Sequence, residues 1–176
     1  MLNLLVVERE CDRSGFEKSI AAVSLKDSVS VSYADSVSCA DIVFRQNPCR
    51  YDAVFFPVIS NTGKFQASAD AAEKIRRINP YIQIVFMSPY NYLPLSAFEC
   101  GNVRFLKKPV TVSQLERTLS DLRRTASAFR KVGGKILKLK FNREHYFVAS
   151  ESVIYVRKCR NGIIIVTTEG ERNHSG

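Results

Sequence analysis

Asp52-Ala53-Val54-Phe55-Phe56-Pro57-Val58-Ile59-Ser60 decides how this chain is read. Residues 53–56 are apolar without a break, which suits a strand covered on both faces in the middle of a parallel sheet. Pro57 ends the run, because it has no N–H to continue a central ladder. In open α/β sheets, ligands and chemistry collect just past the carboxyl ends of the strands. Position 57 is therefore expected to face a crevice, and a chemically inert ring stands there.

Similar runs lie on both sides. Leu2–Val7 and Ile82–Met87 read as buried strands, Val103–Leu106 as a shorter one, and Val29–Tyr33, alternating Val with Ser, as one nearer a sheet edge. Between them the period changes to that of helices. Ser14-Gly15-Phe16-Glu17 has capping-box spacing, so a helix is expected from Gly15, with Phe16, Ala21, Ile20 and Val23 inward. Asp35 or Ser36 can cap a second helix running to Asn47, with Val37, Ala40, Val43 and Phe44 on one face. A third is expected over 68–79, stopped by Asn79-Pro80, and a short fourth over Leu93–Cys100, with Gly101 as its left-handed cap. Thr111-Val112-Ser113-Gln114 is a second capping box, opening a long helix. Five strands alternating with five helices predict a doubly wound, five-stranded parallel α/β sheet.

The long helix carries Val112, Leu115, Leu119, Leu122, Ala126 and Phe129 at spacings of 3, 4, 3, 4 and 3. Such a seam packs on its own sheet or pairs with a second subunit. Its later part, Arg123 to Lys131, is basic and reads as a connector. Gly133-Gly134 marks a boundary. Beyond it Ile136–Phe141, Tyr146–Val148, Val153–Val156 and Ile163–Thr168 read as short strands, with Asn161-Gly162 a hairpin signal between the last two. The expected divisions are 1–122, a helical linker over 123–134, and a small all-β segment over 135–176.

Charge divides the chain at nearly the same place. Residues 1–121 hold 14 Lys and Arg against 13 Asp and Glu, while residues 122–176 hold 12 against 4. A neutral first part joined to a basic second part suggests DNA or RNA as the second part's partner, with a solvated basic surface as the alternative. No apolar run is long enough for a bilayer, and the first eight residues lack a basic n-region, so a cytoplasmic protein without a membrane partner is expected. Cys11, Cys39, Cys49, Cys100 and Cys159 form no close pair, and His145 and His174 are the only histidines. Neither a zinc site nor a disulfide framework is expected, and the thiols read as buried. No Gly-rich phosphate loop or Ser-His or Cys-His set is evident, so an enzyme and a cofactor are not expected.

The order of residues resembles a known family. Tyr51-Asp52-Ala53-Val54-Phe55-Phe56, then Ile84-Val85-Phe86-Met87-Ser88, then Ala97-Phe98-Glu99-Cys100-Gly101-Asn102-Val103-Arg104-Phe105-Leu106-Lys107-Lys108-Pro109 are similar to a response-regulator receiver domain of the LytTR class. Val153-Ile154-Tyr155-Val156, a basic stretch, and a strand ending Thr168-Glu169-Gly170-Glu171 resemble the first half of a LytTR DNA-binding domain. The resemblance implies a two-component transcription regulator whose phosphoryl site uses acids after the first strand, an aspartate at the end of the third, a hydroxyl after the fourth and a lysine after the fifth. Glu8 matches one acidic position, but Arg9 holds the next. Ser88 and Lys108 match the hydroxyl and lysine positions, and Phe105 the aromatic position associated with switching. Pro57 stands where the phosphoacceptor belongs.

Asp52 cannot replace it, since at about 3.3 Å per residue it starts some 15 Å from the carboxyl end of the strand. The expectation is a pseudo-receiver that takes no phosphoryl group and holds no Mg²⁺, since that ion needs oxygen ligands. The family's dimer face implies a homodimer through Leu93–Cys100, Arg104–Leu106 and the seam beginning at Leu115. For DNA, the resemblance points to the loop Arg157-Lys158-Cys159-Arg160-Asn161, where Arg and Lys suit phosphates and guanine and Asn suits adenine, with Lys138 and Lys140 adding charge. The alternative is a protein–protein interaction module without DNA-binding activity.

Overall fold

In the computed structural model of the chain, residues 1–23, 28–58, 64–90, 103–131, 136–141, 144–159, 162–167 and 170–175 are described. Five strands pair side by side in parallel: β1 (Leu2–Val7), β2 (Val29–Ala34), β3 (Ala53–Pro57), β4 (Gln83–Ser88) and β5 (Val103–Lys107). Their spatial order is β2-β1-β3-β4-β5. The helices are α1 (Arg13–Ala22), α2 (Val37–Gln46), α3 (Lys64–Ile78) and α4 (Val112–Lys131). This is the expected doubly wound α/β sheet. The expected helix over Leu93–Cys100 and its Gly101 cap lie outside the described residues.

Alternation along the three central strands, β1, β3 and β4, explains why they are mainly apolar. Leu5, Val7, Val54, Phe56, Ile84 and Phe86 meet Ala40 and Phe44 of α2 and Ala69, Ala72 and Ile75 of α3. Leu4, Val6, Ala53, Phe55, Val85 and Met87 meet Phe16 of α1 and Leu115, Leu119, Leu122 and Ala126 of α4. Both faces of the sheet are thus covered, and a polar residue on β3 or β4 would be buried on either side. Phe55 and Phe56 are fully buried on opposite faces; each such side chain contributes on the order of 2–3 kcal/mol.

Caps set the helix starts. Ser36 Oγ accepts from Cys39 N at 3.1 Å, as a cap of α2 should. Thr111 and Gln114 cap α4 reciprocally, each backbone N–H 3.4 Å from the other's side-chain oxygen. The expected box at Ser14 does not form. A 3-10 turn over Glu10–Asp12 leads into α1 two residues early, and Arg13 and Ser14 are already helical. α3 also begins earlier than read, at Lys64.

Other expectations are corrected. Cys11, Cys39 and Cys49 are exposed, not buried. On α2 the inward positions belong to Ala40 and Phe44, which turns Cys39 outward. Of the two readings of the α4 seam, packing on its own sheet is the one observed. Leu115, Leu119 and Leu122 are buried against this chain's own sheet, Gln83 Nε2 donates to Leu122 O at 2.9 Å, and Phe129 meets the Tyr81 ring at 5.3 Å.

Beyond α4 the pairing turns antiparallel. β6 (Ile136–Phe141) pairs with β7 (Glu144–Ala149), while β8 (Val153–Cys159), β9 (Gly162–Thr167) and β10 (Gly170–Ser175) form a second sheet in the order β10-β9-β8. β10 was not expected, because Gly170-Glu171-Arg172-Asn173-His174-Ser175 is polar throughout. Among the described residues, no helix is long and apolar enough to cross a membrane.

Candidate functional site

The strand order reverses between β1 and β3, and there the sheet splits. β1 stays with β2 to Val7–Ala34, and Glu8 N donates to Ala34 O at 2.9 Å. β3 stays with β4 to Pro57–Met87, and Val58 N donates to Met87 O at 2.7 Å. Between β1 and β3 the register ends at Val6–Phe55, two residues before Pro57, whose nitrogen offers no donor. A crevice of about 600 Å³ opens at this divergence, where open α/β sheets place their ligands. Val7, Glu8, Arg9, Pro57, Val58, Met87 and Lys108 line it, with Asp12, Asp35 and Ser36 on one side and Ala67, Ser68, Pro89 and Tyr90 on the other.

Charge in the crevice is settled within its walls. Glu8, its side chain 4% exposed, forms an ion pair with Lys108 through Oε1. Its other oxygen, Oε2, is buried without a partner. Lys108 follows β5 and is joined to Pro109 by a cis peptide. Arg9 turns outward to Asp12 at 3.0 Å. Arg13 ties the ends of the first two strands together. It donates to Glu8 O at 3.1 Å, pairs with Asp35, and lies 4.8 Å from the Tyr33 ring centre. Burial, then the Glu17 and Glu8 carboxylates, raise the Tyr33 phenol to about 12, against a lowering pull from Arg13.

The hydroxyls are engaged as well. Ser88 is fully buried and its Oγ accepts from Tyr90 N at 3.1 Å. Ser68 Oγ donates to Pro57 O at 2.9 Å, which holds α3 to the end of β3.

The structure therefore brings Glu8, Arg9, Pro57, Ser88 and Lys108 together at one end of the sheet. Phe105 lies apart from the crevice, half-buried and level with Phe86. Asp52 is at the opposite end, where its Oδ2 accepts from Asn3 N at 2.8 Å. Among the described residues, no three of His, Cys, Asp and Glu converge as metal ligands. Sequence reading missed Arg13, Tyr33, Asp35 and Ser68. Tyr33 and Asp35 carried a usable signal, since they close the second strand as Glu8 closes the first. Ser68 reaches the crevice from α3, and Arg13 of α1 holds its lining residues Glu8 and Asp35; only the packing shows that.

The basic segment is arranged differently from the expected loop. Arg157 and Lys158 belong to β8, opposite Ile164 and Ile163, and Cys159 pairs with Gly162. The run Ile163-Ile164-Ile165 extends the ladder and shortens the connection. Arg157 is exposed. Arg160 and Asn161 lie outside the described residues. Lys138 and Lys140 occupy β6, level with Phe147 and His145. Ile154, Tyr155 and Val156 on β8 are all more than half exposed.

No protein-family model matches this sequence, and no curated protein matches it. Solved structures do match. One is a response regulator receiver domain protein from Clostridium thermocellum, 19% identical with a TM-score of 0.58, over 75% of this chain and 99% of that one. A two component transcriptional regulator AraC from Clostridium phytofermentans is 18% identical with a TM-score of 0.56, over 75% of this chain and 99% of that one. A LuxR family DNA-binding response regulator from Silicibacter pomeroyi is 21% identical with a TM-score of 0.53, over 69% of this chain and 91% of that one. The parallel sheet with its flanking helices is thus of the response-regulator receiver type, a flavodoxin-like α/β fold.

Proposed function

We propose that the chain is a transcription regulator of the response-regulator type, with a pseudo-receiver over 1–122, a helical linker over 123–134 and a LytTR-like basic β module for DNA over 135–176. Pro57 carries this reading. At the switch point of the sheet it supplies a ring in place of a nucleophilic carboxylate. Lys108 is already paired with Glu8, so among the described residues no carboxylate stands at the end of β3 to accept a phosphoryl group, and the lysine that would meet one is already engaged. Signalling then passes through contacts, with a homodimer formed through the β5 side of the sheet.

DNA binding rests on the basic balance of residues 122–176 and on exposed Arg157, and two structural neighbours are named as transcriptional or DNA-binding regulators. Titration into duplex DNA at rising salt tests it. Affinity that falls steeply with salt supports the reading, and no binding at low salt refutes it. The second reading, an interaction module without DNA activity, is favoured by the apolar surface of Ile154, Tyr155 and Val156 on β8, a place where another protein could add to the sheet. Retained self-association without DNA binding would select it.

A further inference from the structure

β8 is the last strand of its sheet, and among the described residues it pairs only with β9. The outer edge of such a strand is a row of N–H and C=O groups, a template for another strand. Ile154 is 62% exposed, Tyr155 51% and Val156 55%, and Arg157 beside them is exposed as well. Tyr155 and Val156 point to opposite faces, so neither face of β8 is covered here.

The ladder with β9 limits what can pair there. Val153 stands opposite Thr167 and Tyr155 opposite Val166, so Ile154 is an extra residue on β8. Val156 stands opposite Ile165, and Thr167 and Ile165 share one face of β9. Val153 and Val156 therefore share a face although they are three residues apart. A second copy of β8, running antiparallel about a two-fold axis, meets this strand across the extra residue with same-face residues opposite when Val153 lies against Val156 and Ile154 against Tyr155. That register brings position 151, a glutamate, level with position 158, a lysine, twice by symmetry. It also keeps the two copies of Arg157 apart, whereas a parallel pair in register would set like charges side by side.

We propose that β8 pairs antiparallel with β8 of a second copy of this chain, as a contact within the homodimer proposed above. One patch then covers itself, and the open edge is closed. The inference rests on the reading of the β segment as a place where protein adds to the sheet, and it names what adds.

Sedimentation equilibrium of the full chain over a concentration series tests it, with circular dichroism to confirm that each variant is folded. Ile154→Lys raises the dimer dissociation constant at least about tenfold. Glu151→Lys and Lys158→Glu each raise it about tenfold, because each dimer holds two such pairs. Combining the two reversals restores it to within about threefold, since the antiparallel register sets these two positions against each other. Single reversals that weaken the dimer without rescue in the combination overturn the register. A dimer that none of the variants weakens overturns this inference alone and leaves the pair through the β5 side. A chain that stays monomeric to about 0.1 mM overturns the homodimer as well.

Discussion

Replacing Lys108 with Met tests whether the Glu8 pair holds the crevice together. The Glu8 side chain is 4% exposed and Lys108 30% exposed, so the two partners do not suffer equally when the pair is broken. Lys108→Met leaves an ionised carboxylate buried with both oxygens unpaired, because Oε2 has no partner already. Breaking a buried pair in this way costs about 3–5 kcal/mol. For a chain of this length that lowers Tm by about 6–20 °C. Glu8→Gln is milder. It leaves Lys108 an amide oxygen to bond, and the partly exposed ammonium can turn to water, so the loss is about 1 kcal/mol. The double variant Glu8→Gln with Lys108→Met should be closer to Glu8→Gln than to Lys108→Met, giving a coupling of at least about 2 kcal/mol. Urea unfolding monitored by circular dichroism measures all three as shifts in midpoint at constant slope. Equal, small losses in the two single variants, with no coupling, would refute the reasoning.

Three further outcomes follow from the same geometry. Tyr33 releases its proton near 12 in the folded protein against 10 in a free phenol; the folded state keeps a proton that the unfolded chain sheds, so stability falls as pH rises from 10 toward 12. Tyr33→Phe flattens that decline and removes a phenolate absorbance step near 12. Ser68→Ala removes the donor to Pro57 O and costs about 1–2 kcal/mol by denaturant unfolding; no loss would mean that this bond does not anchor α3. Arg157→Ala weakens duplex DNA binding similarly across sequences and lowers the salt slope by about 1, whereas an unchanged slope removes Arg157 from the interface.

Strand identity was legible because apolar runs of four to six residues fit a sheet covered on both faces. Leu2–Val7 matches β1 end for end, and the run at 53–56 matches β3 up to its proline. Helix starts were legible where a side chain does the capping, as at Ser36 and Thr111. They were misread at Ser14, where a 3-10 turn nucleates α1 without any side-chain cap. The α4 seam shows a limit of periodicity. A heptad pattern records that one face is apolar but not whether a sheet or a second helix covers it, and here the sheet does.

In the crevice, most residues at strand ends were legible because the sheet carries the ends of β1, β3, β4 and β5 to one edge. Their partners were not. That Glu8 takes Lys108, and that Arg13 spans Glu8 O, Asp35 and Tyr33, depends on side chains meeting across as many as 100 residues of sequence. In the tail, polar β10 pairs because β9 offers it an open edge, a tertiary cause without a local signature.

The most direct test of the account is to incubate the unaltered protein with Mg²⁺ and acetyl phosphate, then with beryllofluoride, and follow intact mass and ¹⁹F NMR. With Pro57 at the end of β3 and Lys108 held by Glu8, no added mass and no bound fluoride signal are predicted. A stable label or fluoride resonance mapped to the crevice would contradict the claim that this receiver fold works without phosphoryl transfer.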